Sequence, residues 1–533
     1  MVCNKAFPIP RLMKDNAKTS DSPAWIQHRS TGLLLHVSSL PGSFGIGNLG
    51  PGAHDFLEFL VEAGFSSWQT CPLGPTGFGD SPYQTFSSDA GNPYFIDWEP
   101  LLDAQIVSEP EITSLRSLPT NVVDYDSLRH HFLPISRQVS KKFHEQPTVL
   151  ASLYGDFSEF VTIHERWLRP YCLFKALKES HDGQPWWAWP IQERSFDAAN
   201  EQRIDESLRE TIQHEEFLQY VFFGQWDALR RKAHDLGLRI IGDLPIYAAP
   251  DGAEVWARPE LFQLGEDSLP SRVSGVPPDY FAPEGQRWGN PLYDWPMHQQ
   301  DGFSWWLERL EAQLQLFDVV RIDHFRAFHD YWSIPATAND ARLGEWEKGP
   351  GLPFFEAVRA KFPAMPFLAE DLGLLNAGVH QLRDTVGLPG MAVLQFAFDG
   401  DSDNLYLPHN LNADTVLYVG THDNDVAKGW YESASEEVRD NFRRYLNTSG
   451  EDAPWDFLRA AYRSVAKLTV VTAQDLLSLG SEARFNVPGT PTGNWRWRIT
   501  PEQFGKLRDE TAPYLREQAQ ITGRSAVVNP MPN

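Results

Sequence analysis

The stretch DVVRIDHFRAF (318–328) reads as a buried strand that runs into an acid, Asp323. Two later stretches repeat the pattern: FLAEDLG (367–373) with Glu370, and VLYVGTHDND (416–425) with Asp423. The three acids are 47 and 53 residues apart, which leaves room each time for a loop, a helix and the next strand. This spacing is typical of a (β/α)8 barrel, in which catalytic side chains lie at the carboxyl ends of different strands.

Five further apolar stretches bring the number of predicted strands to eight, the number that closes such a barrel. They are TGLLLHVSSL (31–40), SSWQTCPLGP (66–75), LRIIGDLPIYA (238–248), MAVLQFAFDG (391–400) and LTVVTAQDLL (468–477). Apolar residues at helical spacing predict helices between them, over 53–64, 215–237 and 305–317. The predicted fold class is therefore α/β, a (β/α)8 TIM barrel.

The regular alternation of strands and helices is interrupted twice. Residues 75–210, after the second strand, predict a helical insertion, and residues 249–300, after the third, predict a second one that includes a long loop over 275–295. Residues 1–27 are polar and contain several prolines, so we expect a tail followed by one catalytic barrel over 28–533. No β-rich sequence follows the eighth strand, so no C-terminal β-sandwich domain is expected.

Composition excludes several classes of partner. The formal net charge of −25 opposes binding to nucleic acid or to an anionic membrane surface, whereas an uncharged substrate is compatible with it. The cysteines, Cys3, Cys71 and Cys172, are too few for a disulfide framework or a zinc site. The N-terminal residues lack an apolar signal-peptide region, so a cytoplasmic protein is expected, with a plastid transit remnant as a weaker alternative.

Three other motifs fail on detail, and neither a cofactor nor a metal is expected. The glycines of GIGNLG (45–50) fit a dinucleotide fingerprint, but no acid ends the second strand. The loop DGDSDN (399–404) begins like a calcium loop, but it lacks the glycine and glutamate that such a loop needs at its sixth and twelfth positions. The histidines His324, His329 and His422 do not have zinc-ligand spacing.

The neighbours of the three acids indicate different roles. Arg321 precedes Asp323 by two residues, so on a strand it points to the same face and would keep this carboxylate ionised, as a nucleophile requires. Glu370 follows apolar residues and precedes Asp371, and burial with a nearby anion would raise its pKa, as a general acid requires. Asp423 lies in a polar cluster suited to sugar hydroxyls. One acid would attack, one would move a proton and one would hold the sugar of a glycosidic substrate.

Aromatic residues give weaker indications. Trp186, Trp187 and Trp189 crowd one short segment, where packing between an insertion and the barrel is the favoured interpretation. Tyr83 and Trp288 lie in loops rich in glycine and proline, and they are stronger candidates for a binding site.

Six segments together resemble one known family. Besides the three acidic stretches, they are GDSPYQTFSSDAGNPY (79–94), IIGDLPIYAA (240–249) and GVPPDYFAPEGQRWGNP (275–291). The chain, from about residue 30 to about residue 500, resembles the 4-α-glucanotransferases of the amylomaltase or disproportionating-enzyme type, glycoside hydrolase family 77, a branch of the α-amylase superfamily. The last of the six segments separates this branch from ordinary α-amylases.

The resemblance implies a glycosyltransferase that acts on α-1,4-glucans and maltooligosaccharides, with glucose as an acceptor. It implies that Asp323 is the nucleophile, Glu370 the general acid/base and Asp423 the acid that binds the ring hydroxyls in the transition state. The substrate-binding residues it implies are Tyr83, Asp243, Arg321, His422 and Asn486 around the donor sugar, and Asp279, Tyr280, Phe281, Gln286 and Trp288 on the acceptor side. Val426 departs from the threonine expected after THDND.

Two other functions remain open from the sequence. A hydrolase of α-1,4-glucans with weak transfer would use the same acids with water as the acceptor. A non-catalytic glucan-binding protein would keep the barrel without the chemistry, although the intact set of three acids argues against it.

Overall fold

The computed structural model describes residues 23–196, 206–278, 282–373 and 375–525. Strands within these ranges form two sheets. In chain order the strands are β1 Ser30–Leu34, β2 Ser67–Gln69, β3 Arg239–Pro245, β4 Arg272–Val276, β5 Gln286–Pro291, β6 Val319–Asp323, β7 Asp330–Pro335, β8 Glu345–Lys348, β9 Phe367–Ala369, β10 Met391–Val393, β11 Val416–Tyr418 and β12 Leu468–Thr472.

The larger sheet is a parallel, nearly closed barrel. Its eight strands follow the order β10-β11-β12-β1-β2-β3-β6-β9, and every pair within it is parallel. At the remaining seam, the Ala369 N–H donates a hydrogen bond to the Pro389 carbonyl at 3.0 Å, just before β10. The predicted (β/α)8 barrel is thereby confirmed.

Helices surround the barrel and fill the interval between β2 and β3. The α-helices are α1 Pro51–Glu62, α2 Glu99–Asp103, α3 Glu109–Arg116, α4 Tyr125–Glu145, α5 Ala151–Tyr154, α6 Phe157–Ile163, α7 Glu165–Ser180, α8 Glu206–Asp235, α9 Ala253–Ala257, α10 Trp295–Gln300, α11 Ser304–Leu316, α12 Leu352–Lys361, α13 Ala377–Val386, α14 Ala427–Ser433, α15 Glu436–Leu446, α16 Ala453–Arg463, α17 Ala473–Leu476, α18 Pro501–Lys506 and α19 Ala512–Ile521. The three helices expected over 53–64, 215–237 and 305–317 correspond to α1, α8 and α11.

The barrel strands are apolar because both of their faces are covered. All five residues of β12 are buried, as are four of the five in β1, since one face lines the barrel interior and the other meets helices. The predicted strands run past the observed ends. Residues 31–40, for example, leave the strand at Leu34, and Val37–Ser39 form a short 3-10 turn that is also buried. Apolar loops above the barrel therefore extend the strand-like pattern.

The smaller sheet was not predicted. It is antiparallel, in the order β5-β4-β7-β8, and it joins residues on both sides of β6. The expectation of a long loop over 275–295 is wrong, because β5 and the end of β4 lie within that range. Their sequences, RVSGV and QRWGNP, are short and broken by glycine and proline, and the pairing of β4 with β7 depends on distant sequence.

The seam between β1 and β12 is secured by two arginines. Arg524 is fully buried, and its guanidinium donates hydrogen bonds to backbone carbonyls on both sides of the seam, including those of Ser30 and Ala466 at 3.1 and 2.7 Å. Arg29 donates to the Ser464 carbonyl at 2.7 Å. The beginning and the end of the described chain are therefore joined beside the first barrel strand.

The region between β2 and β3 packs as the tryptophan pattern predicted. Trp186 and Trp189 are buried, and the Trp186 indole N–H donates to the Pro250 carbonyl at 2.8 Å, just after β3. Trp189 also packs against Trp256 of α9. The exact limits of the insertions stay a prediction, and residues 1–22 of the predicted tail lie outside the described residues.

The two loops that imitate ligand-binding motifs have structural explanations. A side chain at Gly47 would place its Cβ 2.0 Å from the Val37 carbonyl oxygen, so a close approach of the backbone requires this glycine. In the acidic turn, the side chains of Asp399 and Asp401 accept hydrogen bonds from the backbone N–H groups of Asp401 and Asp403 at 3.0 and 2.9 Å.

Within the described ranges, no three His, Cys, Asp or Glu side chains form a metal-binding group, and no helix is long and apolar enough to cross a membrane.

Candidate active site

The three predicted acids lie at one end of the barrel. Asp323 is the last residue of β6, Glu370 directly follows β9, and Asp423 lies five residues beyond β11. Because all of these strands are parallel, their carboxyl ends meet at the same face. Each acid ends or follows a barrel strand in the sequence, and the parallel barrel therefore brings the three acids to the same face.

Arg321 lies at the centre of the site. Its Nη1 donates to both carboxylate oxygens of Asp243, at 2.8 and 2.7 Å, and to Oδ1 of Asp323 at 2.8 Å. Asp243 is opposite Arg321 in the β3–β6 register, so the strand pairing itself sets this contact. Burial raises the pKa of Asp243 to about 6, against the opposing charge of Arg321. The arginine thus links the carboxylates of Asp243 and Asp323, and it lies on the same strand face as Asp323.

Glu370 is half-buried and accepts two backbone hydrogen bonds. The N–H groups of His324 and Leu372 donate to its two carboxylate oxygens at 2.7 and 2.9 Å. The pKa of Glu370 is raised to about 7, chiefly by desolvation of the carboxyl; the charge of Arg321 opposes the shift and that of Asp323 contributes to it. The anion responsible is therefore Asp323 rather than the expected Asp371, whose carboxylate pairs with Arg383.

The backbone at His324 is unusual. This residue has φ +52°, in the left-handed region that residues other than glycine rarely adopt. The conformation directs its N–H to Glu370 and brings its ring to 4.8 Å from the Trp288 ring. A strained residue between two acids is a common feature of functional sites.

Asp423 is held by polar groups from two directions. The Asn486 amide donates to its Oδ1 at 2.6 Å, and Nε2 of His422 lies 3.3 Å from its Oδ2. Burial by itself would raise the pKa of Asp423, but His422, the Asn486 hydrogen bond and Arg321 hold it well below its usual range. About half of the Asp423 side chain (51%) remains exposed at the site. The group is therefore ionised and accessible.

Tyr83 connects Asp243 on β3 with His422 in the loop after β11. Its hydroxyl donates to Asp243 Oδ2 at 2.9 Å and lies 3.2 Å from Nδ1 of His422. Its ring stacks on the His422 ring, with centroids 4.6 Å apart and planes at 16°. The loop that contains Tyr83 is thereby fixed over the ends of β3 and β11.

The acceptor-side residues are only partly described. Gln286 and Trp288 lie on β5, and the Trp288 indole N–H donates to Gln286 Oε1 at 3.1 Å. Trp288 also contacts His324 beside the acids. Asp279, Tyr280 and Phe281 lie outside the described residues.

Sequence reasoning missed Arg484. Its guanidinium donates to the backbone carbonyl of Asp423 at 3.0 Å and to that of Asn486 at 3.2 Å, so it joins the two segments. Its position two residues before Asn486 was the available signal, and it parallels that of Arg321 before Asp323.

Comparison with known proteins decides the family. The profile of one family, described as "4-alpha-glucanotransferase", matches residues 35–503. A 4-alpha-glucanotransferase of Thermus thermophilus is 47% identical over 93% of this chain and 99% of its own length. The chain belongs to the 4-α-glucanotransferase family. Other 4-α-glucanotransferases that it resembles include those of Synechocystis, 40% identical over 94% of the chain and 99% of the relative, and Solanum tuberosum, a chloroplastic/amyloplastic protein 38% identical over 93% and 86%.

Solved structures agree with this assignment to the 4-α-glucanotransferases. The amylomaltase of Streptococcus agalactiae, solved in complex with acarbose, superimposes with a TM-score of 0.86 at 36% identity, over 93% of this chain and all of that one. The amylomaltase of Corynebacterium glutamicum shares the fold, with a TM-score of 0.75 at 16% identity over 95% of this chain and 77% of that one.

Proposed function

We propose that this protein transfers a segment of an α-1,4-glucan to the 4-hydroxyl of an acceptor sugar by a retaining double displacement. The observation that carries the proposal is the contrast between two neighbouring carboxyls. Desolvation of the Glu370 carboxyl raises its pKa to about 7, while Asp323 is bound to the Arg321 guanidinium. Such a divergence of environments assigns one carboxyl to proton transfer and the other to attack.

In the first step, the protonated Glu370 donates its proton to the glycosidic oxygen as that bond breaks. An oxygen of the Asp323 side chain attacks the anomeric carbon, and a covalent glycosyl-enzyme forms through an oxocarbenium-like transition state. The two backbone N–H groups on Glu370 fix its direction, and they also stabilise the carboxylate that remains after the proton has left.

In the second step, Glu370 accepts a proton from the 4-hydroxyl of the acceptor, which attacks the anomeric carbon and releases Asp323. Two inversions at this carbon give net retention. Glucose and maltooligosaccharides both carry a suitable 4-hydroxyl, so each serves as an acceptor. The enzyme needs no cofactor for these steps.

Donor recognition is assigned to the polar residues around Asp423. The exposed carboxylate of Asp423 accepts hydrogen bonds from ring hydroxyls. Its electrostatic interaction with the sugar strengthens as the sugar becomes cationic in the transition state. His422 and Asn486 hold this carboxylate and offer further polar contacts to the sugar. Tyr83, bound to Asp243, borders the donor side of the site.

Transfer in place of hydrolysis requires that water be kept from the glycosyl-enzyme. We assign this to the segment over 275–290, with Trp288 against His324, and with Gln286, Asp279, Tyr280 and Phe281 as the acceptor-side contacts. An α-glucan hydrolase would share the acids and differ in this respect. The family comparisons give that alternative no added support.

Incubation with maltotriose alone tests the function. A transferase produces glucose and a ladder of longer maltooligosaccharides while the number of reducing ends stays constant. Products would be resolved by chain length and the reducing ends counted over time. Rising reducing ends with only shorter products would show a hydrolase, and binding without any change in the sugar would show a non-catalytic protein.

A further inference from the structure

Met391 contacts Arg321 inside the barrel, and the proposed mechanism gives this methionine no role. The Arg321 Nε–H donates a hydrogen bond to the Met391 sulfur at 3.4 Å, and both residues are buried. Met391 begins β10, and β9 lies between β10 and β6, the strand of Arg321. Side chains from alternate strands meet in the interior of such a barrel. A thioether is a weak acceptor, so it is an unusual partner for a buried guanidinium.

The sulfur supplies a second point of attachment for a rigid group. The other printed contacts of the Arg321 guanidinium are all made by Nη1, with both oxygens of Asp243 and one oxygen of Asp323. A guanidinium is planar, and contacts at one nitrogen still allow the plane to pivot about that atom. Nε, held by Met391, prevents this pivot.

A pivot would cost the contact with Asp323 first. Asp243 offers two oxygens to Arg321 and its side chain is 1% exposed, whereas Asp323 offers one oxygen and its side chain is 30% exposed. A guanidinium released at Nε would therefore keep Asp243 and turn away from Asp323. The orientation of the proposed nucleophile thus depends on both ends of Arg321.

The backbone of Met391 is itself held from two sides. Its N–H donates to Asp371 Oδ1 at 2.7 Å, and Asp371 also pairs with Arg383. On the other side, Met391 is paired with Val416 of β11. Asp371 directly follows Glu370 in the sequence. The position of the sulfur is therefore fixed relative to β11 and to the loop that carries the proposed general acid.

We propose that Met391 is a positioning residue that acts through Arg321: its sulfur keeps the guanidinium directed at Asp323 and so aligns this carboxylate with the anomeric carbon. This role rests on the proposed transferase function. Leucine would fill nearly the same volume but would leave the buried Nε–H without its acceptor. The sulfur and the volume can therefore be tested separately.

Two substitutions at Met391 make this separation. In Met391→Leu, kcat/KM for maltotriose should fall roughly tenfold, within the cost of up to about 10²-fold for a misplaced catalytic group. Met391→Gln, whose side-chain carbonyl can accept the Nε–H, should recover most of this loss. Met365→Leu is the matched control, because Met365 is also buried but precedes β9 at the end of the barrel away from the acids, so kcat/KM should not change.

A second donor, α-maltotriosyl fluoride with glucose as acceptor, identifies the step that is affected. Fluoride leaves with little help from a general acid, so this reaction reports attack by Asp323 rather than proton transfer by Glu370. The deficit of Met391→Leu should persist with the fluoride. Thermal melts of all variants would be measured so that rates refer to folded protein.

Three results would overturn the role of Met391. They are wild-type rates in folded Met391→Leu, an equal loss in the leucine and glutamine variants, and a deficit that disappears with the fluoride donor, which would place the effect at Glu370. Failure of the proposed function is distinguishable from these, because the wild type would then make no transfer product from either donor.

Discussion

At the scale of the residue, the proposed mechanism makes the rate depend on the proton of Glu370. Because burial raises its pKa to about 7, the carboxyl is protonated below that pH and ready to donate. Above pH 7 the acid form is lost, so kcat/KM for maltotriose should fall about tenfold for each further pH unit. Initial rates between pH 5 and pH 9 would measure this. A profile that stays flat to pH 9 would contradict the role of Glu370 as the general acid.

We expect that Asp323 can be replaced by asparagine without loss of the fold. In Asp323→Asn the proposed nucleophile is absent, and transfer should fall by at least about 10³-fold. The variant should melt close to the wild-type temperature, since Asp323 is partly exposed and Arg321 keeps its two hydrogen bonds to Asp243. Single-turnover assays and a thermal melt would be run side by side. Near-normal transfer by a folded variant would exclude Asp323 as the nucleophile.

At the scale of the element, the segment 484–486 supports the loop after β11. Loss of the Asn486 hydrogen bond to Asp423 in Asn486→Ala should lower kcat by about 10- to 100-fold, the magnitude of a hydrogen bond to a charged group. Asn486→Asp, which places a second carboxylate beside Asp423, should lower kcat further than Asn486→Ala does. Steady-state kinetics on maltotriose would show whether KM or kcat changes. A change in KM alone would mean that Asn486 binds sugar without orienting Asp423.

The elements also show what the sequence could predict. The barrel strands were found because burial on both faces makes them continuous apolar runs, as in LTVVT of β12. β8, with the sequence EWEK, carries no such run, and its place beside β7 depends on tertiary pairing. The acids and Arg321 were predicted because strand period and chain order place them on one face. The contacts of Arg484 and the left-handed backbone of His324 follow from loop geometry, which has no regular period.

At the scale of the whole molecule, Arg524 connects the two ends of the barrel sequence. Burial lowers its pKa to about 9, and the nearby charge of Arg29 acts in the same direction. Arg524→Met would leave several buried carbonyls without a donor, so we expect the free energy of unfolding to fall by about 3 kcal/mol or more. Denaturant unfolding would measure it. Arg508→Met, an exposed position paired with its neighbour Asp509, serves as the control and should change stability by less than about 0.5 kcal/mol.

The pairing of β1 with β12 has a consequence for synthesis on the ribosome. More than 400 residues must be translated after β1 before its second neighbour exists. At about 5–20 residues per second, this leaves one edge of β1 unpaired for roughly 20–90 s in the nascent chain. An unpaired apolar edge invites association with other chains during that time. A chaperone that shields the emerging chain should therefore raise the yield of folded protein without any change in its final stability.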